Sequence, residues 1–255
     1  MISKAVIKHL RSLQLKKRRD ELGLFPVEGP KLVMELLRNK SWKVNELYAT
    51  DEWEAPFELS AIEVVRVSDT ELNQISGQQQ PNKVLAVAEM KLVNEEHSIP
   101  SSGFYLLLDQ IRDPGNLGTI IRIADWFGVD GVFCSFDTVD CYNPKVVQSS
   151  MGSLFRVVPV YISLEKLLAD NAQSAKLAVY SSHLQGDNLF SADLKKDAFV
   201  VMGNESRGVE PALNPFITKS ILIPSKSGLN EKAESLNVAV ATGIVCSEWL
   251  RRFSS

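Results

Sequence analysis

Four short segments from residue 104 onward are apolar at nearly every position: FYLLLD (104–109), GVFCS (131–135), DAFVVMG (197–203) and SILIP (220–224). RVVPVYI (156–162) and KLAVYSS (176–182) are nearly as apolar. A strand with one wet face alternates apolar and polar residues, because successive side chains point to opposite faces. Continuous apolar runs of this length need cover on both faces, which is the situation of a parallel sheet between helices. Between the runs lie segments with helical spacing: 116–128, 143–152, 164–172, 209–217 and 235–253. This alternation predicts an α/β unit over 104–255 with a parallel sheet.

Residues 1–93 read as a second, smaller α/β unit. Apolar residues recur at helical spacing from Ile2 to Lys17, predicting one helix there. GLFPVEG, VNELYAT, IEVVRVS and KVLAVAEM read as strands, and PKLVMELLRNK as a helix with Pro30 in its first turn. Ser68 followed by Glu71 is a capping box that starts a further helix. NEEHSIPSSG (94–103) is polar, without periodicity, and is expected to be the linker.

The chain has 255 residues, 45% apolar and 23% charged, as in ordinary globular proteins. No run of about 18 apolar residues exists, so no membrane span is expected. The basic start lacks the apolar core of a signal peptide. A transit peptide is the alternative, but the segment runs straight into an amphipathic pattern and is assigned to the fold. Three cysteines without a close pair indicate a reducing compartment, hence the cytoplasm. The three histidines are scattered, and no zinc motif occurs, so no metal site is expected. Net charge is −3, so overall charge does not advertise nucleic acid. The distribution is more informative. Lys4, Lys8, Arg11, Lys16, Lys17, Arg18 and Arg19 all precede the first acid, Asp20. They form either a solvated helix face or a phosphate-contacting stripe.

Three stretches follow strands, where open α/β sheets bind ligands. In LDQIRDPGNLGTIIRIADWFG (108–128), Asn116 stands at the helix start as a candidate N-cap, and Arg122 lies among apolar residues. The glycine fingerprints of dinucleotide and nucleotide-triphosphate sites are absent, which disfavours a Rossmann-type dehydrogenase. In FVVMGNESRGVEPAL (199–213), Gly203 and Gly208 allow close backbone approach. Glu205 either caps the following helix or orients a substrate or an arginine. In ILIPSKSGLNEKAESLNVAVATGIV (221–245), Ser235 is the natural N-cap. Asn237 then falls at an inner position, and Gly243 costs about 1 kcal/mol relative to Ala unless a close neighbour compensates. Together these loops predict a single pocket.

At these residues the sequence resembles the SpoU/TrmH family of RNA 2′-O-ribose methyltransferases, within the SPOUT superfamily. NLGTIIRIADWFGV, MGNESRGV and IPSKSGLNEKAESLNVAVATGI match the family's three motifs in order, and SSMGSLFRVVPV also looks familial. The resemblance implies a C-terminal trefoil-knotted parallel-sheet methyltransferase domain, with a ribosomal-protein-like N-terminal substrate-binding domain. It further implies S-adenosylmethionine as cofactor, no metal, and a homodimer with the pocket completed near its interface. Gly203, Ile223 and Leu236, with Met202, Asn204 and Asn237, would meet the cofactor. Arg122, Asn116, Glu205, Ser235 and Asn237 would form the catalytic set, with the other four holding Arg122 and the ribose. Lys16, Lys17, Arg18 and Arg19 would face RNA. Gly243 would permit tight packing in the knot or the dimer. The loop from Pro224 to Ser235 is longer than in many members. The extra N-terminal domain points to ribosomal ahead of transfer RNA. A non-catalytic RNA-binding protein on the same fold is the alternative.

Overall fold

The structure, a computed structural model, describes residues 2–55, 62–91, 99–174, 177–225 and 235–253. Residues 94–98 of the expected linker and 226–234 of the long loop lie outside the described residues. The chain divides into two compact units. One comprises Met1–Leu92 together with Asp140–Arg156; the other comprises Val93–Val139 and Val157–Ser255.

The first unit begins with helices α1 (Lys4–Ser12) and α2 (Lys16–Leu22), followed by β1 (Leu24–Glu28) and α3 (Pro30–Arg38). Next come β2 (Val44–Ala49), β3 (Val64–Arg66), α4 (Asp69–Ile75) and β4 (Val84–Glu89). The sheet has the order β1-β4-β2-β3 and is mixed: β4 is antiparallel to β1 and β2, while β2 and β3 are parallel. The capping box forms as the sequence predicts, with Ser68 accepting from the Glu71 backbone and the Glu71 carboxylate accepting in return. Leu10 and Leu13 pack with Tyr48, Leu72, Ile75 and Leu85 in one buried cluster.

The single helix expected over Ile2–Lys17 is instead two. The chain turns at Leu13–Leu15, where hydrogen bonds shorten to three-residue spans. Arg19 explains the break. It is 1% exposed, and its Nη1 donates to the carbonyls of Leu13 (2.9 Å) and Gln14 (3.0 Å). Those carbonyls lie at the end of α1, where no helical donor remains. Its Nη2 donates to Asp140 Oδ2 at 2.6 Å. A buried cation held in this way is unavailable to RNA, which removes Arg19 from the expected basic stripe. Lys16, Lys17 and Arg18 are exposed, but lie against Asp20 and Glu21 one turn on. Such surface pairs are worth about 0.3–0.5 kcal/mol. Removing one partner of a buried pair costs about 3–5 kcal/mol.

The second unit contains β5 (Phe104–Leu108), α5 (Pro114–Phe127) and β6 (Gly131–Cys134). The chain then enters the first unit, where it forms α6 (Pro144–Ser150). It returns as β7 (Val160–Tyr161), α7 (Leu164–Ser174), β8 (Ala178–Asn188) and β9 (Ala198–Met202). A 3-10 turn (Pro211–Phe216), β10 (Lys219–Leu222) and α8 (Val238–Phe253) complete it. The strand order is β10-β8-β9-β5-β6-β7, and every neighbouring pair is parallel. The runs in β5, β6 and β9 are covered on both faces, as their composition requires, while the edge strands β7 and β10 are only half-buried. On one face Leu107, Phe199 and Val201 pack with Leu164, Leu167 and Leu168 of α7. Phe104 points to the other face and stacks on Trp249 of α8, with ring centroids 4.7 Å apart. Among the described residues, no helix is long and apolar enough to cross a membrane.

Two details of α8 yield expected outcomes. Glu248 is 4% exposed and accepts from Arg251 (2.7 Å) and from Arg252 Nε (2.5 Å). Arg252 also donates to the carbonyls of Ala192 and Leu189, so the cluster anchors the end of α8. The hydrogen bonds from Arg251 and then Arg252 hold the Glu248 carboxyl down at about 2. A depressed carboxyl stabilises the fold above its unfolded value, and that stability is lost as pH falls through its folded value. Glu248→Gln is expected to cost about 2 kcal/mol at neutral pH. In denaturant titrations the gap from the parent should narrow between about pH 5 and pH 2; a pH-independent gap would contradict this account. At Gly243 the close neighbour expected from the sequence is absent among the described residues, since an added Cβ would meet Ile123 Cδ1 at an ordinary 3.6 Å. Gly243→Ala should therefore stabilise the chain by up to about 1 kcal/mol. A loss instead would reveal a close neighbour beyond the described residues of this protomer.

Candidate active site

The carboxyl ends of β5, β8, β9 and β10 share one edge of the sheet, because all the strands are parallel. After β5 the chain enters α5. Asp113 caps this helix, its Oδ1 accepting from the Asn116 backbone N–H at 2.8 Å. Asn116, the cap candidate from sequence, thus keeps its side chain for other partners. Its Nδ2 donates to Glu205 Oε1 at 2.8 Å, and its Oδ1 accepts from Asn237 Nδ2 at 2.8 Å.

The second helix mouth shows the same displacement. Ser235 does not cap α8. Asn237 does, its Oδ1 accepting from the backbones of Ala239 (3.0 Å) and Val240 (3.3 Å). Its Nδ2 remains for Asn116 and for Glu205 Oε1, the latter at 3.0 Å. Glu205 Oε1 also accepts from the Val238 backbone at 3.4 Å. Glu205 therefore serves α8, far along the chain, and not the turn that follows it. A carboxylate at a helix N-terminus is favoured by the helix dipole.

The loop from Gly203 to Gly208 is shaped by close contact. Asn204 and Gly208 exchange backbone hydrogen bonds at 2.9 and 2.8 Å. The Asn204 side chain is spent on the loop itself: Oδ1 accepts from Ser206 and Arg207, and Nδ2 donates to the Gln110 carbonyl. A Cβ at Gly203 would lie 2.4 Å from the Gly208 carbonyl carbon, so only glycine fits without movement. Asp109, at the end of β5, is buried and accepts from the Glu210 backbone at 2.7 Å. Burial pushes its carboxyl above the usual range.

Beside this junction is a cavity of about 330 Å³. Met202, Gly203, Asn204, Ile223 and Leu236, the expected cofactor residues, line it, as do Glu205 and Ser235. Asn237 does not line it; it stands at the junction on the rim. Ser182, His183 and Leu184 of β8 also line the cavity and were missed from sequence. Their one signal is position after an apolar run. They lie inside β8, and the apolar run did not say which strand neighbours β9. Among the described residues, no group of His, Cys, Asp or Glu is arranged to hold a metal ion.

Arg122 is not brought to the set. It lies exposed on α5 and has no hydrogen bond or ion pair with another described residue. The expectation that Asn116, Glu205, Ser235 and Asn237 hold it fails within one protomer, for a geometric reason. Six residues of helix rotate a side chain by about 240° and advance it about 9 Å, so Asn116 and Arg122 leave α5 in different directions.

Comparison with known proteins bears on this geometry. The profile of the SpoU rRNA Methylase family matches residues 103–247, and that of the MRM3-like substrate binding domain matches residues 4–86. The 23S rRNA (guanosine(2553)-2'-O)-methyltransferase RlmP of Bacillus subtilis (strain 168) is 32% identical over 241 residues, covering 94% of this chain and 93% of that protein. The crystal structure of an AdoMet-bound rRNA methyltransferase from Sinorhizobium meliloti matches with a TM-score of 0.84 at 30% identity, covering 100% of this chain and 97% of its own. The SpoU methyltransferase AviRb from Streptomyces viridochromogenes, in complex with AdoMet, matches with a TM-score of 0.84 at 26% identity, covering 99% of each chain. With its motifs converging on one cavity at the carboxyl edge of a parallel sheet, the chain belongs to the SpoU rRNA methylase family.

Proposed function

We propose that this protein transfers a methyl group from S-adenosylmethionine to a ribose 2′-hydroxyl of ribosomal RNA. The observation that carries the reading is the junction itself. Asn116, Glu205 and Asn237, from three distant segments, meet on the rim of a cavity whose walls hold the expected cofactor residues. The names of the relatives, which act on 23S rRNA, and the AdoMet in the matched structures support it.

The cavity's residues fit the cofactor. Leu184, Met202, Leu222 and Leu236 provide apolar wall for a base, and Glu205 and Arg207 provide both charges for a zwitterionic amino acid tail. Gly203 leaves backbone groups open to close approach. Bound there, the cofactor supplies an activated methyl on a positively charged sulfur. The chain's own task is to hold the acceptor hydroxyl and stabilise charge as its proton leaves. Asn116 and Asn237 fix the geometry of the rim. The Arg122 guanidinium carries N–H donors and no acceptor. Its role in the reading is therefore charge stabilisation and positioning of an RNA phosphate and the hydroxyl.

The reading includes a homodimer. Arg122 shares its helix face with Trp126, four residues on and 83% exposed. Val240 of α8 is exposed as well. An apolar face of this kind fits a second copy, which would deliver Arg122 to the partner's junction. The reading also takes in the family's trefoil knot, RNA held by the first unit with Lys16, Lys17 and Arg18 as its exposed cations, and a cytoplasmic location.

Arg122→Ala is expected to lower methyl transfer about 10²-fold or more, while AdoMet affinity measured by calorimetry is unchanged. Mixing Arg122→Ala subunits with Glu205→Ala subunits should restore activity, because a mixed dimer holds one site with both residues intact. Absence of rescue, with mixed dimers demonstrated, would place Arg122 in its own subunit's site or outside catalysis. Gly203→Ala should lower AdoMet affinity at least about tenfold, equivalent to 1.4 kcal/mol; unchanged affinity would remove the 203–208 loop from the cofactor site. Mapping 2′-O-methyl groups in ribosomal and transfer RNA, with and without the protein, tests the substrate.

A further inference from the structure

We propose that residues 140–156 are an integral part of the substrate-binding unit, occupying an aromatic groove formed by residues 1–92. The methylase profile runs through this segment without a break, and the substrate-binding profile ends at residue 86. The contacts divide the chain differently, assigning Asp140–Arg156 to the first unit.

Attachment runs from one end of the segment to the other. At its start, Asp140 receives the buried Arg19 guanidinium. Tyr142 lies against Phe25, with ring centroids 4.7 Å apart, and its hydroxyl accepts from the Lys91 backbone at 3.0 Å. In α6, Gln148 Nε2 donates to the Glu28 carbonyl, at the end of β1, at 2.8 Å. At the far end, the Phe155 carbonyl accepts from Trp42 Nε1 (2.9 Å) and Asn39 Nδ2 (2.7 Å). The Phe155 ring meets Trp42 edge-on, centroids 5.5 Å apart. Cys141, Tyr142, Val146, Val147, Leu154 and Phe155 are all buried.

The groove's chemistry matches its occupant. Phe25 and Trp42 supply apolar wall, while the indole N–H, the Asn39 amide and the Arg19 guanidinium are donors. An RNA strand is not the occupant that this wall selects, because the segment already takes the indole N–H, the Asn39 Nδ2 and the Arg19 Nη2. Residues 1–92 without the segment would leave the Arg19 guanidinium without its carboxylate and the Trp42 indole N–H without its acceptor. The chain therefore passes between the units three times, and a single linker does not describe their connection. The inference stands whatever RNA the first unit takes.

Native-state hydrogen exchange of the full chain in rising denaturant tests it. The expected result is that amides of α6 share one isotherm with β1 and β4, distinct from that of β5 and β9. Trp42→Ala should speed exchange in α6 along with β1 and β4. Asp140→Ala should do the same by on the order of 10²-fold, leaving β5 and β9 unchanged. Exchange of α6 with β5 and β9, including one isotherm for all five elements, overturns the proposal. So does wild-type exchange in α6 when Trp42→Ala opens β1. The wild-type isotherms decide the matter even where a variant fails to fold.

Discussion

A single oxygen holds the candidate site together. Glu205 Oε1 accepts from Asn116 Nδ2, Asn237 Nδ2 and the Val238 backbone. The donors come from the mouths of two helices that pack side by side on one face of the sheet. Glu205 and Asn237 are exposed, so each bond is worth about 1 kcal/mol or less. The junction fixes local geometry through the convergence of several bonds on one oxygen, not through the strength of any one. It also depends on Gly203, whose contact with Gly208 turns the chain so that Glu205 meets both helix mouths.

The sheet was legible in the sequence, and the caps were not. FYLLL and AFVVM are apolar throughout because helices cover both their faces, and that requirement is written locally. Choosing between Asp113 and Asn116, or between Ser235 and Asn237, is not local. Ser, Asp and Asn all cap well. Which one caps depends on whether a competing partner exists elsewhere, and for Asn116 the partners are 89 and 121 residues away. The motif residues were found through resemblance, which identified them without assigning their hydrogen bonds. Periodicity similarly continued the first helix through Leu13 because its apolar spacing never falters. The break is set by Arg19, whose carboxylate lies 121 residues further on.

Segment 140–156 shows the same limit at the scale of units. Composition marks a polar stretch at 94–103, and a boundary drawn from sequence goes there. Nothing local marks Val139 or Val157, because the segment between them interleaves apolar and polar residues as the rest of the chain does. Burial of Tyr142, Val146 and Phe155 accounts for the apolar ones. It does not reveal which core they enter.

Asn116 and Arg122 divide the work of one helix. α5 turns Asn116 inward to the junction and Arg122 outward to solvent, about 120° apart around the axis and about 9 Å apart along it. A lone copy of the chain therefore keeps its fixed amides and its candidate guanidinium apart. Trp126 lies one turn beyond Arg122 on the same face, and at 83% exposure it leaves most of its apolar surface in water. In the proposed dimer one contact answers both problems. Burial of Trp126 against a second copy would favour association, and the same approach would carry Arg122 towards the partner's rim. Catalysis would then require assembly, because a monomer would hold the cofactor pocket without the charge that the acceptor needs.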